Sequence, residues 1–376
     1  MLVIILIALI SVSLFVTIEL VDNRQFPEFF VGVEFAYSYN NVTGLTGLVS
    51  DLKDLVDEVR NYTNLFVIGS LEVSFNQTAL NEACDYIVDA GLHFTVLFTD
   101  STKYNYTIFD WMEDAKQKYG DKFLGVYRYD EPGGNQLDQG SSRLVKNATN
   151  YADAAANYTK GLGIIVKYYL NYTPKMFTAD YGLYWFDYKA GYSAVFAEFG
   201  WNHSRQLNIA LCRGAAEAHN KDWGAIVTWT YDNLPYIESG RELYNDMVLA
   251  YKAGAKYVVV FDYPKIGRYG ILTEDHFDAL KDFWNYVHSN PQEHGVIEGE
   301  LVYVLPQDYG FGFRNPRDTV WGLWNADDLS AKVWDDANML IDQYGFSLDI
   351  VYIDPEVMDA VKSRYDKLFF WNETIT

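Results

Sequence analysis

The chain has 376 residues and 49% of them are apolar, which supplies a large core and excludes wholesale disorder. Acidic residues outnumber basic ones 51 to 29, and a net charge of -22 sets the surface against nucleic-acid phosphates. Aromatic residues reach 17%, with 31 Tyr and 10 Trp, a stock of rings suited to stacking on sugar faces and equally to packing a core.

Met1 to Ile18 carry no charged residue. As a helix, such a run reaches roughly 27 Å, about one hydrocarbon core. Residues 1–21 are therefore expected to be a signal peptide or a membrane anchor, the route by which the chain would meet a membrane. A buried core helix is the other reading of that run. After it, short β-rich runs alternate with helical periods. Strands are predicted at Phe29–Ala36, Leu65–Gly69, His93–Phe98, Phe123–Tyr129, Lys175–Ala179, Ala194–Phe199, Gly224–Thr230 and Lys256–Phe261. Helices are predicted over Gly47–Arg60, Thr78–Ala90, Ile108–Tyr119, Ala152–Tyr169, Arg205–His219, Arg241–Ala253 and Thr273–Ser289. A short helix near Tyr184–Lys189 has to make the crossover from the fifth strand to the sixth. The continuous apolar run at Tyr257–Phe261 is typical of a parallel strand buried on both faces. Eight βα units over residues 27–290 match the size of a TIM (β/α)8 barrel, an α/β fold. Beyond Pro291 three strands and two helices are predicted over residues 296–376, a smaller open α/β domain.

Nine Asn-x-Ser/Thr sequons occur, at Asn41, Asn61, Asn76, Asn105, Asn147, Asn157, Asn171, Asn202 and Asn372. Eight are expected to be glycosylated; Asn171 is set aside because Pro174 follows its sequon. Many sequons, an acidic surface and few cysteines together suggest an extracellular or cell-surface protein, of archaeal type. Cys84 and Cys212 fall on the second and sixth barrel helices, too far apart around the ring to be bridged, so two buried thiols are expected. The six histidines show no ligand spacing, so neither a metal site nor a cofactor is expected.

TIM barrels carry their chemistry at the C-terminal ends of the strands. At or just past the strand ends stand Glu34, then Asp100, Asp130 and Glu131, Asp180, Glu198 with Trp201, Trp229 with Tyr231 and Asp232, and Asp262. Carboxyl groups and rings around one mouth are what hydrolysis of a carbohydrate needs. Asp130-Glu131-Pro132 is the sharpest signal. Two adjacent carboxyls in a partly dry mouth cannot both ionise freely, and a raised pKa makes a proton donor. The plain alternative is a solvated turn, since Asp, Pro and the following Gly133-Gly134 are ordinary loop residues.

A fourth strand ending in Glu-Pro resembles the (β/α)8-barrel glycoside hydrolases, whose acid/base Glu follows an Asn; here Asp130 stands in its place. Adjacent Asp-Glu is also similar to the hexosaminidases that use the substrate's acetamido group as nucleophile. That resemblance implies Glu131 as the acid and Asp130 as the residue that orients the acetamido group. The chain departs from the retaining hydrolases after the seventh strand. Thr228 to Asp232 contain no Glu there. Either Asp232 substitutes, or Glu198 serves, or the acetamido mechanism applies, or catalysis is lost and the barrel is a glycan-binding or surface-layer scaffold. Glu34, Asp100, Asp180 and Asp262 are expected to bind substrate, with a buried polar network the other reading of Glu34, and Trp201, Trp229, Tyr231 and Tyr184 are candidates to stack on sugars or equally to pack the core. The strand rhythm of Ile350–Pro355 and Leu368–Phe370 resembles the small flavodoxin-like domain that follows the barrel in trimer-forming beta-galactosidases, which implies oligomer contacts.

Overall fold

The computed structural model describes residues 28–38 and 44–375. The apolar leader and Asn41 lie outside the described residues. Eight parallel strands close into a barrel in chain order: β1 Phe30–Phe35, β2 Leu65–Ile68, β3 His93–Phe98, β4 Phe123–Arg128, β5 Met176–Asp180, β6 Ala194–Phe199, β7 Asp222–Val227 and β8 Tyr257–Asp262. The ring closes where β1 pairs with β8, from Phe30 opposite Tyr257 to Phe35 opposite Asp262. The expected TIM barrel is present; β3 and β6 keep the expected bounds, and the other strands differ by at most three residues at either end.

Around the barrel run α1 Gly44–Val59, α2 Leu71–Ser74, α3 Gln77–Asp89, α4 Ile108–Tyr119, α5 Pro132–Leu137, α6 Tyr151–Tyr169, α7 Tyr184–Ala190, α8 Arg205–Ala218, α9 Gly240–Lys252 and α10 Glu274–Ser289. In α1, Leu48, Leu52, Leu55, Val56 and Val59 recur at helical spacing and are all buried, so one stripe faces the strands. Side-chain caps start the long helices. Asn76 accepts from the Ala79 N–H, Asn150 from Asp153, and Ser239 forms a reciprocal box with Glu242. The short α7 makes the crossover from β5 to β6, and its Gly191 closes it in a left-handed turn at φ 110°.

Inside the barrel Phe30, Leu65, Tyr127, Phe177, Phe196 and Tyr257 stack in layers, so the centre is packed and not a pore. Cys84 and Cys212 are both buried free thiols, as expected. After the barrel come β9 Leu301–Leu305, α11 Asp328–Tyr344, β10 Leu348–Tyr352, α12 Met358–Arg364 and β11 Lys367–Phe370. Their sheet is parallel in the order β10-β9-β11. It packs on α8. Arg213 of that helix, buried, donates Nε to Asp349 Oδ1 at 2.8 Å and Nη1 to the Ile297 carbonyl at 2.6 Å. Tyr365 donates to the other Asp349 oxygen at 2.8 Å. Among the described residues no helix is long and apolar enough to cross a membrane.

Candidate active site

Where β4 ends, the backbone turns sharply. Tyr129 and Glu131 sit at φ 66° and 49°, a left-handed region that costs non-glycine residues roughly 1 kcal/mol or more each. The turn is held from below. Glu131 N–H donates to the Ala179 carbonyl at 3.1 Å, and Pro132 then opens α5. Asp180, fully buried at the end of β5, accepts from four backbone N–H groups: Gly133 at 2.5 Å, Gly134 at 2.9 Å, Tyr181 at 2.8 Å and Gly182 at 3.2 Å. A Cβ on Gly133 would lie 2.3 Å from the Gly182 carbonyl, and one on Gly134 would lie 2.2 Å from the Tyr181 ring. These glycines are required by that close approach, not by loop flexibility.

The turn projects Glu131 into a cavity of about 250 Å³ at the C-terminal mouth of the barrel. Glu34, Asp130, Glu131 and Glu198 line it with Tyr127, Trp201, Trp229 and Tyr263. Burial pushes the Glu131 carboxyl up to about 8, with Asp130 and Asp180 adding to the shift. Burial also raises Glu198 well above its ordinary value, and the charge of Glu131 adds to it. The two carboxyls are hydrogen-bonded to each other. Such a bond needs a proton, which the pair shares. Glu34, buried on β1, is pushed up to about 8 by burial and then by Asp130.

Asp130 lines the open mouth and keeps solvent contact. Crowding by protein still raises its carboxyl, and the Tyr127 hydroxyl, donating at 2.6 Å, opposes that. The same hydroxyl accepts from the Ala179 N–H at 3.0 Å, which fixes it. Burial holds the Tyr127 phenol far above its ordinary pKa, so it remains a donor. On the other wall Trp229 donates Nε1 to the Tyr263 carbonyl at 2.6 Å and stacks on the Tyr263 ring at 6.0 Å and 10°. Trp201 meets Trp229 edge-on at 6.3 Å.

Six of the residues singled out from sequence therefore meet in one cavity: Glu34, Asp130, Glu131, Glu198, Trp201 and Trp229. Others do not. Asp180 is taken up by the α5 turn. Asp262 is buried, bonded by the Tyr37 hydroxyl and by the Ile271 N–H at 2.8 Å. Asp100 is exposed and pairs with Arg128 at 2.7 Å on the helix side of β4. Tyr184 is buried at the start of α7. Tyr231 and Asp232 line a separate depression of about 430 Å³. Sequence reading missed Tyr127 and Tyr263. Tyr127 carried a signal, since it alternates with Arg128 and so faces the barrel interior.

No protein-family model matches the sequence, and no curated protein matches it. Solved structures do resemble the fold. GH5_18 from Streptomyces cattleya, in complex with GlcNAc, aligns over 92% of this chain and 99% of its own, at 13% identity and a TM-score of 0.55. Alpha-L-fucosidase isoenzyme 2 from Paenibacillus thiaminolyticus aligns over 91% of this chain and 64% of its own, at 8% identity and a TM-score of 0.51. The fold neighbours are glycoside hydrolases. At these identities the likeness is one of fold. It shows neither a flavodoxin-like companion nor a trimer.

Proposed function

We propose that this chain is a glycosidase with Glu131 as its general acid. The observation that carries the reading is the cavity itself: four carboxyls, two of them sharing a hydrogen bond, walled by Tyr127, Trp201, Trp229 and Tyr263 at the catalytic end of the barrel. Burial and the neighbouring Asp130 favour the protonated form of Glu131, which can deliver its proton to the leaving oxygen. Glu198 hydrogen-bonds Glu131 and tunes its proton. No Glu stands in Thr228–Asp232 after β7 to act as a nucleophile.

A substrate that brings its own nucleophile fits this geometry. In a 2-acetamido sugar the acetamido oxygen attacks the anomeric carbon as Glu131 protonates the leaving oxygen. Asp130, fixed by Tyr127, accepts from the acetamido N–H and keeps that oxygen aimed. Glu131, now a carboxylate, takes a proton from water, which opens the cyclic intermediate and restores the sugar. The exposed sequons and the apolar leader support an outer-surface location, anchored or secreted, with oligomer contacts assigned to the C-terminal sheet.

Aryl 2-acetamido glycosides and the matching 2-hydroxy glycosides test the reading. Turnover of the first class alone is expected, and Glu131→Gln should lower it about 10²- to 10⁴-fold. A second reading is favoured by the lack of any Glu in Thr228–Asp232 after β7: a barrel that binds glycans without cleaving them. No turnover across a broad glycoside panel, with binding retained, would establish it.

A further inference from the structure

Five of the ten large hydrophobic side chains exposed among the described residues sit on the loops after β6, β7 and β8: Trp201, Tyr231, Leu234, Tyr263 and Ile266. They crowd one side of the barrel mouth. There the depression lined by Trp201, Asn202, Tyr231, Asp232, Asn233 and Leu234 opens beside the catalytic cavity, and Trp201 lines both. Its volume of about 430 Å³ is within the ~300–1,000 Å³ of small-ligand clefts. Its lining alternates rings with short amide and carboxylate side chains. Sugars present apolar ring faces edged by hydroxyls, and that alternation matches them.

The loop that builds the depression is already folded into place. Thr230 and Tyr231 both donate their N–H to the Tyr236 carbonyl, at 2.7 and 2.9 Å, and Tyr236 N–H donates to the Asn233 carbonyl at 2.8 Å. Below it Tyr236 packs on Trp229 at 5.0 Å, and Trp201 N–H donates to the Trp229 carbonyl at 2.6 Å. The two hollows therefore share one rigid wall, so a ligand spanning both meets little ordering cost.

We infer that the depression is a second sugar-binding site, continuous with the catalytic cavity across Trp201, and that the substrate is a glycan chain of several residues. Tyr231 stacks one sugar, and Asp232 and Asn233 hydrogen-bond its hydroxyls. This rests on the glycosidase reading for its catalytic cavity, but binding in the depression does not require turnover. Asn202 of the same lining is a sequon. A glycan carried on Asn202 would fill the site, so the full chain is to be made in a host without N-glycosylation.

The test compares a tetrasaccharide with an aryl monosaccharide, for each of β-1,4-linked N-acetylglucosamine, mannose and glucose. Calorimetry on the Glu131→Gln chain should show at least one tetrasaccharide binding tighter than its monosaccharide. Tyr231→Ala should weaken that tetrasaccharide about tenfold. In the active chain Tyr231→Ala and Asp232→Ala should each lower the ratio of kcat/KM on the tetrasaccharide to that on the aryl monosaccharide. If no tetrasaccharide binds tighter than its monosaccharide, or if the ratio and the binding are unmoved in both variants, the inference is overturned. If the wild-type chain cleaves nothing but Tyr231→Ala still weakens tetrasaccharide binding, the hydrolase reading fails and the second site stands.

Discussion

Asp180 was expected to touch substrate and instead holds the turn that carries Glu131, a difference that one substitution can read. In Asp180→Asn one oxygen is kept and the other becomes an amide nitrogen. The oxygen can retain the three bonds from Gly134, Tyr181 and Gly182. The fourth donor, the Gly133 N–H, then faces an NH₂ group and stays buried without an acceptor. One such orphan costs about 1–3 kcal/mol. At roughly 2 °C per kcal/mol for a large domain, the melting temperature should fall by about 2–6 °C. Releasing this end of α5 also lets Glu131 drift, and a displacement near 1 Å can cost about 10² in rate. Thermal melts and kcat/KM across pH measure both effects. A variant that melts like the wild type and loses only KM would refute the argument, because Asp180 would then be facing substrate.

Several buried carboxyls should make stability depend on pH. Glu34 and Glu131 are pushed up to about 8, and Asp180 and Asp262 to about 7, all by burial first. Unfolded carboxyls ionise near pH 4, so the folded chain holds protons that the unfolded chain has released. Stability must then fall as pH rises. The window from about 7.5 to 8 is cleanest, because the buried histidines, whose shift runs the other way, are by then largely neutral in both states. Glu34→Gln should flatten that slope by at most about 1.4 kcal/mol per pH unit, and melting temperatures that rise across the window would contradict the burial of these groups. A thiol reagent should label neither Cys84 nor Cys212 in the native chain and both after denaturation; native labelling would place a thiol at the surface. Arg213→Ala should cost about 3–5 kcal/mol by stranding buried Asp349, and a loss below 1 kcal/mol in a denaturant titration would show that water reaches the pair.

The barrel was legible because its strands are short apolar runs between amphipathic helices, and period and length together separate the two. Even α7 was foreseen, since a parallel crossover must contain something of that size. The site was legible only by residue type. Strand ends name Glu34, Glu131 and Glu198, but not which carboxyls have been claimed by the backbone. Asp180 and Asp262 read like substrate-binding carboxyls in sequence and are spent on N–H groups and a tyrosine. Gly133-Gly134 looked like slack loop, whereas each admits no Cβ because a carbonyl or ring lies against it. The short α5 escaped notice because two glycines in six residues give no helical propensity.

The Arg213 contact also bears on how such a chain can be inherited. The guanidinium leaves α8, the helix that follows Glu198's strand, and ends among Asp349, Ile297 and Phe346. Recombination that separated the barrel from the last eighty residues would part this ion pair and uncover the apolar surface packed around it on both fragments. The two pieces are thus poor candidates for independent shuffling, and descendants of this chain should gain or lose them together.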